Sequence, residues 1–259
     1  MRLAIVQTQP VFGDVSRNVK DALDLMASVK ADLYVLPELF NTGYNFVDQE
    51  EVNLLAESPS GPTYSAMRDW ARQTSAFVAY GFAERAVQPY NSAALIGPEG
   101  LIGVYRKVHL YYRETLLFAP GDLGFPVFDL PFGRVGMMIC FDWFYPESAR
   151  TLALNGAQLI LHPSNLVMPY CPDAMVTRCL ENRVFAATAN RVGKEDRGGL
   201  ELAYIGNSEI VSPRGEILTR LGSSSPEVKV VEVNLDLARD KRLNEFNDLF
   251  SGRRPSMYR

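Results

Sequence analysis

The stretch "RVGMMICFDWFYPESAR", Arg134–Arg150, changes character at Cys140. Ahead of the cysteine the residues are apolar and strand-like. Behind it come aromatics, an acid and Pro146, which suits the first turn of a helix ending near Gly156. A thiol at such a corner has two readings. Most free cysteines are small buried hydrophobes. The sharper reading is a nucleophile at a strand end with a helix starting behind it.

Working outward, "AQLILHPSN" (157–165) predicts a strand, Asp173–Arg183 a helix and "VFAATAN" (184–190) another strand. The chain's beginning has the same rhythm. "RLAIVQTQ" reads as a strand, Val19, Leu23, Met26 and Val29 recur at helical spacing within Ser16–Lys30, and "DLYVLPE" is a second strand. Thr63–Thr74 follows Pro62 as a helix, before strands at "FVAYGFAER", "NSAALIGP" and "LIGVYRKV", with "GPEG" as a turn. Strand-helix-strand-helix-strand therefore occurs once from Arg2 and again from Arg134. "SEIVSP", "EILTRLG" and "VKVVEVNL" predict a meander, followed by a helix around Leu237–Asn247 and a basic, aromatic tail. Sheets with helices on their outer faces give a layered α/β architecture.

Composition narrows the function. The 259 residues are 47% hydrophobic and 22% charged, ample for a full core, and no linker-like stretch divides them. A net charge of −4 argues against a nucleic-acid or anionic-membrane surface. No stretch has the length to span a bilayer, and "MRLAIVQTQP" is too short for a signal-peptide core, so the expected location is cytoplasmic. Three cysteines without a CxxC and only two histidines predict no disulfide framework, no metal site and no cofactor.

Polar residues at the carboxyl ends of apolar strands are the natural lining of a site in such an architecture. Glu38 follows "YVLP", Lys107 follows "VYR", Cys140 follows "GMMI" and Asn165 follows "LILHPS". Singly, each has a bland explanation: a surface glutamate, a solvated strand end, a core thiol. Together they form a chemical set. A thiol is a poor nucleophile until a base takes its proton, a carboxylate can be that base, and an ammonium can stabilise both thiolate and oxyanion. A helix N-terminus behind Cys140 and an ammonium beside it predict a stabilised thiolate. His109 and His162 are read as structural hydrogen-bonders, and Cys171 in "MPYCPD" as a loop thiol with nothing to activate it.

With these residues in place, the chain resembles the nitrilase superfamily of carbon–nitrogen hydrolases, over essentially its whole length. The resemblance is carried by "VLPELFNTGY" (35–44), "YRKVHLYYRETLLFAPGD" (105–122), "GMMICFDWFYPESAR" (136–150), "HPSN" (162–165) and "ENRVFAATANRVG" (181–193). It is closest to the short thermophile-type nitrilases and amidases. The resemblance implies a four-layer αββα sandwich and a Glu38–Lys107–Cys140 triad, with Glu114 as a second glutamate. It also implies an oxyanion hole made by Lys107 and the Phe141 amide. Tyr44, Trp143 and Asn165 fall where they could contact substrate, with Tyr145 and Leu166 nearby. Such sandwiches pair through the helices after the second and third motifs, so a homodimer or higher homo-oligomer is implied, the tail (about 237–259) crossing to the partner. Leu152, Leu154, Met175, Val176 and Leu180 could supply that interface.

The implied activity is hydrolysis of small amides or N-carbamoyl amines to acid and ammonia through a cysteine thioester. A nitrilase acting on small nitriles or dinitriles is the alternative. True nitrilases commonly carry Trp-Glu after the nucleophile, where this chain has Phe141-Asp142. Other classes fit less well. A serine hydrolase would need a GxSxG elbow, and "GSSSP" (222–226) reads as a turn. A Cys–His hydrolase would have to use His109 or His162. An inactive scaffold or interaction module of the same fold would have no reason to keep Glu38, Lys107 and Cys140 together.

Overall fold

Alternation along β1 (Arg2–Gln7) sorts its side chains between two layers: Leu3 and Ile5 enter one core, Ala4 and Val6 another. The computed structural model describes residues 1–258, and this two-sided burial is its organising feature. After β1 come α1 (Val15–Ala27), β2 (Leu33–Val35), α2 (Gln49–Leu55), α3 (Pro62–Thr74), β3 (Phe77–Glu84), β4 (Tyr90–Gly97), β5 (Gly100–Arg106) and the single turn α4 (Glu114–Leu117). The second half comprises β6 (Val127–Leu130), β7 (Gly133–Met137), α5 (Pro146–Leu154), β8 (Leu159–Pro163), α6 (Cys171–Asn182), β9 (Phe185–Ala189), β10 (Val192–Arg197), β11 (Leu200–Ile205), β12 (Glu209–Val211), β13 (Ile217–Arg220) and β14 (Glu227–Glu232).

One six-stranded sheet has the order β14-β1-β2-β3-β4-β5, the other β13-β12-β9-β8-β7-β6. In each, three consecutive strands of the repeat are parallel, β1-β2-β3 and β7-β8-β9, and the flanking strands are antiparallel. The inner faces meet in one core, where Leu3, Val35 and Leu95 pack with Met137, Leu161 and Ala187. Outside the first sheet, Val19, Ala22 and Met26 of α1 and Met67 and Ala71 of α3 close the other core. Leu152 of α5 and Met175 and Cys179 of α6 cover the second sheet. The result is the four-layer αββα sandwich that the resemblance implied, a form of the layered α/β architecture expected from the repeated pattern.

Several expectations at the margins need correction. The three late strands are not a meander in one sheet: β12 pairs with β13, but β14 pairs with β1, Arg2 opposite Glu232. The "GSSSP" segment carries the chain across, held by Gln7 Nε2 on the carbonyls of Gly222 and Ser225. No α-helix forms over Leu237–Asn247. A 3-10 turn covers Leu235–Ala238, and beyond it the side chains of Asp240, Asn244 and Asp248 accept nearby backbone N–H groups. Such local bonds compete with the helix ladder. Cys171 is not a loop thiol; it is buried as the first residue of α6. Arg259, the last residue of the expected tail, lies outside the described residues.

Candidate active site

Two strained backbone positions mark the site. Cys140 has φ 39° and Leu39, next to Glu38, has φ 48°, both in the left-handed region that side chains with a Cβ avoid. At the first, β7 ends and a 3-10 turn, Cys140–Phe144, starts, with α5 following from Pro146. The expected helix N-terminus is therefore not directly behind the thiol. Asp142 fastens this corner. Its carboxylate accepts the Ile139 N–H at 2.9 Å, the Tyr105 hydroxyl at 2.6 Å and the His109 N–H at 3.1 Å, with His109 Nδ1 at 2.8 Å. His162 braces it from beneath, with Nε2 3.0 Å from the Cys140 carbonyl and Nδ1 3.0 Å from Thr188 Oγ1. Burial lowers His162 to about 4, so it is a neutral strut at physiological pH. Neither histidine is bonded to the thiol: one holds Asp142, the other the Cys140 carbonyl.

Glu38 follows β2 and comes so close to β3 that a Cβ on Gly81 would lie 2.5 Å from the Glu38 Cα. Only glycine fits there. Glu38 Oε1 accepts two bonds, from Lys107 Nζ at 2.7 Å and Asn91 Nδ2 at 2.6 Å. Its Oε2 is buried and has no hydrogen-bond partner among the described residues. Lys107, just past β5, also donates to Glu114 Oε1 at 2.7 Å, and the Tyr44 hydroxyl donates to that same oxygen. Asn165, after β8, donates from Nδ2 to the Glu38 carbonyl at 2.9 Å. The structure thus gathers Glu38, Lys107, Glu114 and Cys140 from four segments into one buried cluster.

Electrostatics follow from burial. Desolvation and the neighbouring Glu114 raise Glu38 above the ordinary carboxylate range, against the pull of Lys107. Burial alone would lower Lys107, but Glu114 and Glu38 outweigh it and hold the ammonium charged. Burial and the Glu38 charge push the Cys140 thiol well above its ordinary value, with Lys107 opposing. The stabilised thiolate expected from sequence is therefore not found. Cys140 rests as a thiol, and to attack a substrate it would need a base.

Beside Cys140 lies a narrow crevice of only about 10 Å³, lined by Tyr111, Phe141, Trp143, Asn165, Leu166 and Met168 among others. Larger concavities exist elsewhere, such as one of about 750 Å³ beside Arg134, Gln158 and Lys241, but they do not reach the thiol. Of the residues expected to contact substrate, Trp143 and Asn165 line this crevice. Tyr44 does not; its hydroxyl is committed to Glu114. Sequence reasoning missed Asn91 and the clamping role of Asp142. Asn91 opens "NSAALIGP" on β4, where a polar residue starting an apolar strand was the available signal. No cluster of metal-ligating side chains occurs among the described residues.

Facing sheets that converge on a buried thiol, two carboxylates and an ammonium define a class of hydrolases that cut carbon–nitrogen bonds. The chain belongs to the carbon-nitrogen hydrolase family, whose pattern matches residues 2–243. A nitrilase of Pyrococcus abyssi is 51% identical over 263 residues, covering 100% of this chain and 99% of the relative. An (R)-stereoselective amidase of Pseudomonas is 36% identical, covering 93% and 88%. Among solved structures, an amidase of Nesterenkonia sp. AN1 in complex with butyramide is similar with a TM-score of 0.79 at 29% identity, covering 93% of this chain and 94% of that one. Another structure of that amidase shows acrylamide added at the active site cysteine.

Proposed function

We propose that the enzyme hydrolyses small, uncharged amides to the acid and ammonia, with Cys140 as nucleophile and Glu38 as general base. The observation that carries this reading is the asymmetry of Glu38. One oxygen is saturated by Lys107 and Asn91, while Oε2 is buried and unpartnered among the described residues. A carboxylate so held, with its proton affinity raised, is suited to take the thiol proton as substrate arrives. The thiol sulfur attacks the amide carbon, and the oxyanion falls to Lys107 and the Phe141 N–H. At the start of a helical turn that amide has no acceptor within the turn. Glu38 then gives its proton to the leaving nitrogen, ammonia departs and a thioester remains. A water deprotonated by Glu38 hydrolyses the thioester, releasing the acid and restoring the thiol. Glu114 shares Lys107 with Glu38 and so fixes where the ammonium sits.

The crevice sets the acyl group. Its aromatic and aliphatic lining favours a short apolar chain, and no charged side chain lines it among the described residues. A relative in tomato is named an N-carbamoylputrescine amidase and a human one an omega-amidase. The former name implies a cationic substrate. Ammonia release should be compared across propionamide, butyramide, a carboxylate-bearing ω-amide and N-carbamoylputrescine. The neutral amides should lead in kcat/KM; a charged substrate that leads refutes the assignment.

The same reading includes a homodimer or larger homo-oligomer, a cytoplasmic location and one catalytic domain over 1–259 with its tail against a partner. No helix is long and apolar enough to cross a membrane among the described residues. The three cysteines are unpaired, which suits a reducing compartment. Of the apolar residues expected at an interface, Leu152 and Met175 are spent in the internal core, while Leu154 and Leu180 remain exposed on the outer helices, as does Phe144 before them. Sedimentation should find a species heavier than the 28.9 kDa protomer; a monomer at micromolar concentration refutes it.

A further inference from the structure

Arg191 is the largest wholly buried side chain among the described residues, and it lies outside the cluster described above. Its Nη1 donates to Glu195 Oε1 at 2.5 Å, its Nη2 to the Pro10 carbonyl at 3.1 Å, and its guanidinium covers the Tyr204 ring at 4.0 Å. Glu195 is on β10, in the β10–β11 hairpin that turns at Gly198-Gly199, an element sequence reading did not anticipate. A buried ion pair of this kind is a weak source of net stability, because desolvation offsets most of the Coulomb gain. What its remaining bonds hold is therefore the informative question.

Those bonds converge on one turn. Glu195 Oε2 accepts the Asn45 N–H at 2.7 Å, the Tyr44 N–H at 3.2 Å and the Tyr204 hydroxyl at 2.9 Å. Gly43 just before has φ 82°, and a Cβ there would sit 2.8 Å from Glu195 Oε1. The turn is thus shaped to admit this carboxylate. The side chain that leaves the turn is Tyr44, whose hydroxyl donates to Glu114 Oε1, the oxygen that also receives Lys107 Nζ. Burial and the nearby Glu114 and Glu38 charges keep that phenol protonated, and so a donor.

We infer that Glu195 is a positioning residue for the catalytic centre: by fixing the Tyr44 main chain it sets the Tyr44–Glu114–Lys107 chain and hence the ammonium's place beside Glu38. Arg191 holds Glu195 in turn. This rests on the reading of Lys107 and Glu38 proposed above. Removing Glu195's charge lets the turn relax, the Tyr44 hydroxyl drifts from Glu114, and Lys107 loses its fixed position, although Glu195 itself touches neither substrate nor the reacting atoms.

The experiment is a double-mutant cycle on Glu195→Gln and Tyr44→Phe, with kcat, KM and Tm measured for each variant. Each single variant should lower kcat about tenfold or more with KM moving less than about threefold, and the double variant should be no worse than the deeper single. The same non-additivity should appear in the rate of Cys140 alkylation by iodoacetamide, which needs no turnover. An inactive wild type with that alkylation pattern would sink the amidase reading alone. If Glu195→Gln lowers Tm but leaves kcat per folded enzyme unchanged, or if the two losses multiply, the inference is overturned. Should Glu195→Gln fail to fold, Arg191→Met with Glu195→Gln removes both charges without stranding one, and the same outcomes apply.

Discussion

Lys107 Nζ sits 2.7 Å from Glu38 Oε1, and neither side chain has any exposure to solvent. The ammonium is shared with Glu114 at the same distance, so one cation serves two carboxylates. The surplus negative charge and the lost hydration both act to raise Glu38. A general base, the role proposed for Glu38, must be ionised to work, so activity should fall as pH drops through the Glu38 pKa. The acid limb of kcat/KM should then lie above about 4.3, the ordinary glutamate value. Glu114→Gln removes the like charge and should move the limb to lower pH, whatever it does to the maximum. An unmoved limb, or one shifted upward, contradicts the coupling.

Lys107 is fully enclosed, which separates it from lysines that only bind substrate. Lys107→Ala strands two carboxylates and, on the proposed mechanism, removes an oxyanion donor, so it should cut kcat by about 10²-fold or more. Lys107→Arg should fail almost as badly, because a planar fork must fit where a compact ammonium bridges Glu38 and Glu114. A near-normal kcat with only a raised KM would show that the ammonium acts on the ground state.

Much of this was legible in the chain because apolar strands with polar ends write themselves locally. Leu3 and Ile5 against Ala4 and Val6 reveal a strand buried on both faces, and Glu38, Lys107 and Cys140 each terminate such a run. What was illegible is non-local. Nothing near Tyr44 in sequence announces that Glu195 will accept its amide from 151 residues away. The thiol's raised proton affinity was misjudged for the same reason, since the burial responsible is a property of the closed sandwich. The tail failed differently: a helix is expected around Leu237–Asn247, but Asp240, Asn244 and Asp248 bond their own neighbours.

His162 should make the fold acid-sensitive. Burial lowers its pKa from 6.5 to about 4, so the folded chain binds that proton less readily than the unfolded chain. The neutral imidazole's contribution is whole above about pH 6.5 and is lost as pH falls toward about 4. The full span is on the order of 3 kcal/mol. Buried carboxylates such as Glu209, raised to about 7, act in the opposite direction, so the wild-type curve alone is ambiguous. The difference in unfolding free energy between wild type and His162→Asn, taken by urea titration from pH 8 to pH 4.5, isolates the effect. Wild type should lose its advantage as pH falls. A pH-independent difference rules out titration of His162 in this range.

Amides should be better substrates than matching nitriles, despite the 51% identity to a relative named nitrilase. A nitrile passes through a thioimidate, which must take up water and then expel ammonia before the thioester forms. An amide reaches the thioester after one tetrahedral collapse, using the same Glu38 and Lys107. An acid placed after the nucleophile could assist the extra steps only if its carboxylate faced the thioimidate nitrogen. In this chain that acid is Asp142, and both of its oxygens are occupied, one by the Ile139 N–H and Tyr105 hydroxyl, the other by the His109 main chain and ring. It is a clamp for the strained Cys140 corner, turned inward and wholly buried. The distinguishing measurement is kcat/KM for butyramide and butyronitrile in one preparation, with acid and amide products both quantified. A nitrile preferred by about tenfold, roughly 1.4 kcal/mol in transition-state stabilisation, would reverse the assignment.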